Sequence, residues 1–232
     1  MKFKLTLILT STIFLSSFAQ QVTEGIVEYK VSYPISSEKI NVKEMMLPES
    51  MKLSFKNDLT RADMPTSFIS TKTITNSSLK SILILMDVHN HKIALHVNQQ
   101  NNYSNTTLTV KKTGQTKPIS GINCEEAWLY FETLIIPNQD TSYLSIDSTK
   151  VFYTNHIGNQ GINWNTKFKG LNGFLMEYEL KQNGITMLFS ATKVTPKKIP
   201  NADFLVPEEY QIMTQEEVEE TLQEIMTGIQ KK

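Results

Sequence analysis

Residues 81–97 read SILILMDVHNHKIALHV, a sequence with two strand patterns on either side of a turn. The first part, Ser81–Val88, is almost continuously apolar, which is typical of a strand that is covered on both faces. After His89-Asn90, apolar side chains alternate with polar or small ones up to Val97, and a period of two is the strand period. The stretch therefore predicts a β-hairpin.

The same period of two recurs on both sides of this hairpin. The segments 174–180 and 185–194 are joined by Asn183-Gly184, which is a strong signal for a tight hairpin turn. Along the whole chain the pattern predicts roughly nine to eleven strands, mostly antiparallel. We also expect an exposed edge strand within 66–78, one or two helical turns within 40–48, and a short strand from Leu108 that is broken at Gly114.

A helix is predicted at the end of the chain, over residues 214–229. Thr214 is placed as the N-cap, and Glu217 follows three residues later, which is the pattern of a capping box. Apolar side chains recur at helical spacing and form one stripe, namely Val218, Leu222, Ile225, Met226 and Ile229. Because the predicted sheet is the one large apolar partner, we expect the stripe to pack against it.

Composition excludes several classes of protein. The 232 residues contain 23 Lys and Arg against 23 Asp and Glu, so the formal charge is zero and a nucleic-acid partner is not expected. The single cysteine, Cys124, excludes an intrachain disulfide and a multi-cysteine metal site. No Pro- or Gly-rich linker divides the chain. We therefore expect one mainly β (α+β) domain over residues 20–232.

The N-terminus has the features of an export signal. Lys2 and Lys4 precede an apolar run, Leu5–Leu15, that is shorter than the about 20 residues of a membrane-spanning helix, and a small-residue site ends at Ala19. We expect residues 1–19 to be a cleaved signal peptide and the mature protein to be secreted or periplasmic. No other apolar stretch has membrane-spanning length, so no transmembrane segment is expected.

The tip of the hairpin is a candidate metal site, because His89 and His91 flank the turn. A metal ion needs further ligands, and His96 is the nearest one in sequence. On a regular strand, however, residues 91 and 96 point to opposite faces. The spacing therefore favours solvent-exposed turn histidines.

Two carboxylates and one thiol are the candidates for catalysis. Glu177 and Glu179 share a strand face about 6.6 Å apart, within the range of acid–base pairs, but Lys181 continues that face and favours a solvated stripe. Cys124 has no histidine near it in sequence, and a buried, inert thiol is the commoner case. We therefore predict a protein that is not an enzyme, without catalytic, cofactor or metal residues, and with ligand-binding residues that the sequence does not identify.

Several motifs carry a resemblance to a known family. They follow one another over nearly all of residues 20–232, namely GIVEY (25–29), LPESM (47–51), TGQTK (113–117), ISGINCEEA (119–127), VFYT (151–154), FKGLNG (168–173), MLFSATKV (187–194), FLVPEEY (204–210) and MT (213–214). In this order they resemble an uncharacterised family (a domain of unknown function) of secreted Bacteroidetes-type proteins with a LolA-like fold.

The resemblance implies a strongly curved antiparallel sheet, an unclosed half-barrel with short helices and the C-terminal helix over its open side. In LolA-like proteins the concave face is apolar and takes the lipid chains of lipoproteins or related molecules. LolA itself has an arginine that gates its cavity, and the one arginine of this chain is Arg61. The family supplies no catalytic residues.

Three functions follow as hypotheses. The first is an exported, non-catalytic protein that binds a hydrophobic small molecule, a lipid or a lipoprotein in the concave face, and the many methionines suit such an adaptable surface. The second is a structural or interaction module of the cell envelope, with the concavity filled by the protein's own side chains. The third is a hydrolase that uses Glu177 and Glu179 or Cys124. No cofactor is expected, and the oligomeric state stays open.

Overall fold

The computed structural model describes residues 21–34, 47–97, 105–138, 141–182 and 184–230. The signal peptide predicted over 1–19 lies outside these ranges, as does nearly all of the segment 40–48 in which helical turns were expected.

The described residues form twelve strands and one α-helix. The strands are β1 (Glu24–Ser32), β2 (Ser50–Lys56), β3 (Leu59–Pro65), β4 (Ile69–Asn76), β5 (Ser81–Val88), β6 (His91–Val97), β7 (Thr106–Ile119), β8 (Ile122–Asn138), β9 (Thr141–Thr154), β10 (Phe174–Gln182), β11 (Ile185–Pro196) and β12 (Gln211–Ile212). The helix α1 spans Gln215–Gln230, and a short 3-10 helix spans Asn201–Phe204.

All twelve strands belong to one open sheet. Their order is β12-β6-β5-β4-β3-β2-β1-β11-β10-β9-β8-β7, and the outer strands do not pair with each other. Neighbours are antiparallel except β12 and β6, which are parallel. The predicted mainly β class, with one unclosed antiparallel sheet and a C-terminal helix, is confirmed. The hairpins β5–β6 and β10–β11 are also confirmed.

Two details of the prediction are wrong. The segment 66–78 contains β4, which pairs with β3 and β5 and is therefore an interior strand, not an edge strand. Gly114 does not break its strand, because β7 continues past a pairing irregularity between Lys112 and Thr116 and reaches Ile119. The positive φ of Gly114, 79°, allows this local bulge, since glycine adopts such a conformation without steric cost.

The sheet is strongly curved. The rings of Phe55 on β2 and Phe174 on β10 lie 5.3 Å apart between centroids, although β1 and β11 separate the two strands. In a flat sheet, three strand spacings would place these strands about 14 Å apart. The Tyr29 hydroxyl of β1 also donates a hydrogen bond across β11 to the carbonyl of Leu175 on β10 (2.6 Å). We call the face that carries these side chains the concave face.

The opposite, convex face is crossed by residues 197–212, here called the strap. Lys56 donates a hydrogen bond to the carbonyl of Ile199 (2.8 Å), and Arg61 donates one to the carbonyl of Asp203 (3.1 Å). Near the end of the strap, the Tyr210 hydroxyl bonds with Lys72 (2.6 Å) and Asp87 (2.5 Å). The strap thus leads the chain from β11 to the far edge of the sheet, where β12 pairs with β6.

Helix α1 follows β12 and packs on the concave face beside β5 and β6. Thr214 accepts a hydrogen bond from the Glu217 amide (3.2 Å), and Glu217 accepts one from the Thr214 amide (2.7 Å), so the predicted capping box is present. Val218 is buried in a cluster with side chains of β5 and β6, and Leu222 and Ile225 pack against the same cluster. The helix therefore packs against the sheet, as predicted.

Candidate functional site

A cavity of about 290 Å³ lies between the concave face and residues 158–173, here called the roof loop. Its volume is at the lower end of the roughly 300–1,000 Å³ that is typical of small-molecule sites. Strands β4 and β10 both line it, although four strands separate them in the sheet. The curvature of the sheet is therefore what encloses this space.

The sheet side of the cavity is mostly apolar. Strand side chains alternate between the two faces, and the apolar ones fall mainly on the concave face here. On β2 and β3, Met51, Leu53, Ala62 and Met64 face the cavity, while Lys52, Arg61 and Asp63 point to the convex face. From β10, the cavity is lined by Phe174, Leu175, Tyr178 and Leu180. These positions supply a hydrophobic surface that the protein's own side chains do not fill.

The roof loop is held in place by backbone and side-chain hydrogen bonds. The amides of Val22 and Gly158 bond with the carbonyls of His156 and Val22 (2.9 Å each), which anchors the start of the loop. The buried Asn163 side-chain amide donates to the carbonyls of Leu171 (2.9 Å) and Gly173 (2.8 Å), which fixes its end. The loop consists of turns and bends and contains no α-helix within residues 158–173.

One part of the cavity wall is polar. Thr60 and Thr75 share a hydrogen bond between their hydroxyls (2.7 Å), and Thr73 lies beside them on the concave face. From the roof loop, Asn165, Thr166 and Lys167 line the cavity. The surface is therefore amphipathic, with polar groups on β3, β4 and the roof loop.

Among the described residues of this wall, Lys167 is the charged one. Its Nζ lies over the rings of Phe131 (4.9 Å to the centroid) and Phe168 (5.3 Å). Burial disfavours the charged form and lowers the pKa of Lys167 from its usual value. No salt bridge to Lys167 is present within the described ranges.

The two candidate carboxylates lie on the other side of the sheet. On β10, Tyr178 and Leu180 line the cavity, so the alternating Glu177 and Glu179 point to the convex face. Both carboxylate oxygens of Glu177 accept hydrogen bonds from Lys117 (2.9 and 3.0 Å). The structure therefore does not bring this pair to the cavity.

Cys124 is a buried free thiol. Its Sγ bonds with the carbonyl of Ile122 (3.4 Å), and burial raises the pKa of the thiol to about 11. Because the thiolate is the nucleophilic form, a thiol with this pKa is unreactive at neutral pH.

The two hairpin histidines do not share a site with other ligands. His89 is in the turn with φ of 51°, and its ring packs edge-on against Phe68 with centroids 5.1 Å apart. His91 and His96 are exposed on β6, whose regular pairing with β5 places them on opposite faces. Across the described parts of the chain, no three His, Cys, Asp or Glu side chains are grouped as metal ligands.

Arg61 does not face the cavity. It lies on the convex side of β3, where its guanidinium pairs with Asp63 (2.7 Å) and bonds to the strap. Its contacts hold the strap against the sheet.

A second depression, of about 480 Å³, lies between β1, β2 and β3. Charged side chains of both signs line it, including Glu28, Lys30, Glu49, Lys52 and Asp63. Such a surface is unsuited to an apolar ligand.

Within the described ranges, the helix is not long and apolar enough to cross a membrane.

Sequence reasoning did not identify the cavity residues. Lys167 and Ala62 belong to no motif, and they line the same cavity only because the sheet bends and the roof loop folds back over it. Leu53 alternates with Lys52 and Ser54 in the strand period of two, which is typical of a strand with one apolar face. This alternation gave no signal that this face would stay partly unfilled.

Comparison with known proteins gives little further information. No family model matches the chain, and no curated protein matches it. Among solved structures, LprF from Mycobacterium bovis overlaps with 79% of this chain and 90% of its own chain, at 10% sequence identity and a TM-score of 0.30. An overlap of this quality does not bear on function.

Proposed function

We propose that this protein is a non-catalytic binding protein for a hydrophobic small molecule or lipid chain, which it holds in the cavity under the roof loop. The observation that carries the proposal is the cavity itself, a mostly apolar space of about 290 Å³ inside a curved sheet. Transferring an apolar chain from water into such a space is favourable by about 0.8 kcal/mol for each buried methylene group.

The positions of the other candidate groups support a binding role without catalysis. Glu177 and Glu179 lie on the convex face, and Cys124 is a buried thiol with a raised pKa. The cavity wall itself carries Thr, Asn and Lys side chains. These groups can orient a ligand through hydrogen bonds.

The proposal is tested with delipidated protein and N-phenyl-1-naphthylamine, a neutral probe that fluoresces in apolar surroundings. We expect the wild-type protein to bind the probe and to melt at a higher temperature with it, since a ligand that binds only the folded state stabilises that state. Absence of both effects would contradict the proposal.

A larger side chain in the cavity wall tests whether the probe binds in the cavity. Ala62→Phe adds a phenyl ring at the cavity wall and should abolish most of the fluorescence increase. Thr109→Phe adds a larger aromatic side chain at an exposed position of β7 and serves as the matched control. Thr73→Phe repeats the test from β4 if Ala62→Phe does not fold. Equal probe binding by the cavity variants and the control would show that the probe binds elsewhere.

Export is proposed on the sequence alone. Lys2, Lys4 and the apolar run Leu5–Leu15 followed by Ala19 support a signal peptide, which would place the binding protein in the periplasm or outside the cell. The intact mass of protein recovered from the periplasm or culture fluid should correspond to a chain that begins at Gln20. A mass that includes residues 1–19 would contradict this proposal.

A second candidate function, an interaction module of the cell envelope, is favoured by one observation. The β8–β9 hairpin exposes a group of apolar side chains, with exposed fractions of 43% for Leu134, 56% for Ile136, 54% for Leu144 and 67% for Ile146. Clusters of this kind mark contact sites in many proteins. If delipidated protein bound no apolar probe while Leu144→Ser and Ile146→Ser changed its association state in sedimentation, this candidate would replace the first.

A further inference from the structure

We infer that the ligand is an anionic amphiphile with a single acyl chain, whose acidic head group binds Lys167 at the cavity wall. This inference rests on the proposed function and adds the chemical class of the ligand. A fatty acid, with a carboxylate on one unbranched chain, is the simplest member of this class.

The charge of the wall points to an anion. Among the described residues that line the cavity, Lys167 is charged and no carboxylate accompanies it. Two acidic residues act electrostatically on Lys167: Asp147 is already bound to Lys181 (3.1 Å), and Glu179 points to the convex face. A ligand that brought a negative charge would therefore meet a cation without a salt-bridge partner.

The surroundings of Lys167 strengthen the argument. Its ammonium lies over the rings of Phe131 and Phe168, so part of its hydration is replaced by aromatic surface. A partly desolvated cation binds a carboxylate more strongly than a fully hydrated one does, because the competing water has already been removed. The long, flexible lysine stem can move the ammonium towards the cavity without displacing the roof loop.

The size of the cavity restricts the rest of the ligand. A volume of about 290 Å³ is small for a binding site, which favours one acyl chain over the two chains of a phospholipid. The apolar side chains of β2 and β10, including Leu53 and Leu180, would contact that chain. The polar roof-loop residue Asn165 lies two residues before Lys167 and also lines the cavity, so it can contact the head group.

The experiment compares dodecanoate with dodecanol, which share a chain and differ in charge, by displacement of N-phenyl-1-naphthylamine at neutral pH. We expect the wild-type protein to bind dodecanoate about tenfold more tightly than dodecanol. Lys167→Met should lower the affinity for dodecanoate about tenfold and leave that for dodecanol within about twofold. Lys169→Met removes an exposed lysine of the same loop and should change neither affinity.

The charge-conserving variant Lys167→Arg should retain the preference for dodecanoate, which separates the effect of charge from an effect on packing against Phe131. Equal binding of the acid and the alcohol by the wild-type protein would overturn the inference, as would an equal loss for both ligands in Lys167→Met. Either result leaves the hydrophobic site intact. If neither ligand nor the neutral probe binds, the proposed function itself fails.

Discussion

The contact between Phe55 and Phe174 provides a quantitative test of the curvature. Both rings are almost fully buried, and their centroids are 5.3 Å apart with an interplanar angle of 61°. Edge-to-face aromatic pairs contribute about 0.5–1.5 kcal/mol beyond the area that they bury. In a flat sheet the same strands would be about 14 Å apart, and their substitutions would act independently.

A double-mutant cycle with Phe55→Leu and Phe174→Leu measures this contact. Leucine keeps both positions apolar, so each single variant should fold while losing the ring–ring interaction. We expect a coupling free energy of about 1 kcal/mol between the two substitutions, measured by urea unfolding followed by tryptophan fluorescence.

The matched control combines Phe55→Leu with Phe204→Leu, because Phe204 is buried on the convex face in a different cluster. The free energies of that pair should add within about 0.5 kcal/mol. Additive effects for Phe55 and Phe174 would contradict the strong curvature of the sheet and, with it, the cavity.

Three further predictions concern the helix, the strap and the thiol. Thr214→Ala removes the acceptor of the Glu217 amide and should lower the free energy of unfolding by about 1 kcal/mol in urea, whereas no change would contradict the capping box. Desolvation raises the pKa of Asp87, but hydrogen bonds from Tyr210 and Lys72 lower it more, so the folded pKa lies below the unfolded value of about 3.9. The stabilisation from Asp87 is therefore complete above that unfolded value and is lost as the pH falls through the folded pKa. We expect the difference in unfolding free energy between wild type and Asp87→Asn to shrink from pH 7 to about pH 3. A constant difference would argue against the contact with Tyr210. Burial raises the pKa of Cys124 to about 11, so iodoacetamide should leave the native protein unmodified at pH 7.5. In urea the reagent should alkylate the protein once, as measured by intact mass. Rapid labelling of the native protein would contradict the burial of the thiol.

The parts of the fold that depend on neighbouring residues were predictable from the sequence. The hairpin over 81–97 and the capping box at Thr214 and Glu217 are encoded within a few residues, and both occur in the structure. The position of a strand within the sheet is different, because it depends on pairing between distant segments. For this reason β4, which is rich in Ser and Thr, resembled an edge strand although it pairs on both sides.

The candidate site could not be predicted from neighbouring residues either, because it also depends on contacts between distant segments. Ala62 and Lys167 line one cavity although more than a hundred residues separate them in the sequence, and no motif links them. The parity argument did correctly separate His91 from His96, since β6 is regular. The alternation on β10 correctly placed Glu177 and Glu179 on one face, but only the structure showed that this face is turned away from the cavity.

The most direct measurement of ligand binding in the cavity is a crystal structure with dodecanoate that carries bromine at the end of its chain. The proposed function predicts an anomalous bromine peak under the roof loop, in contact with side chains of β2 or β10 such as Leu53 or Leu180. The peak should disappear in Ala62→Phe. A peak outside the concave face, or none at a concentration that saturates the probe site in solution, would contradict the proposal that this sheet encloses a hydrophobic ligand.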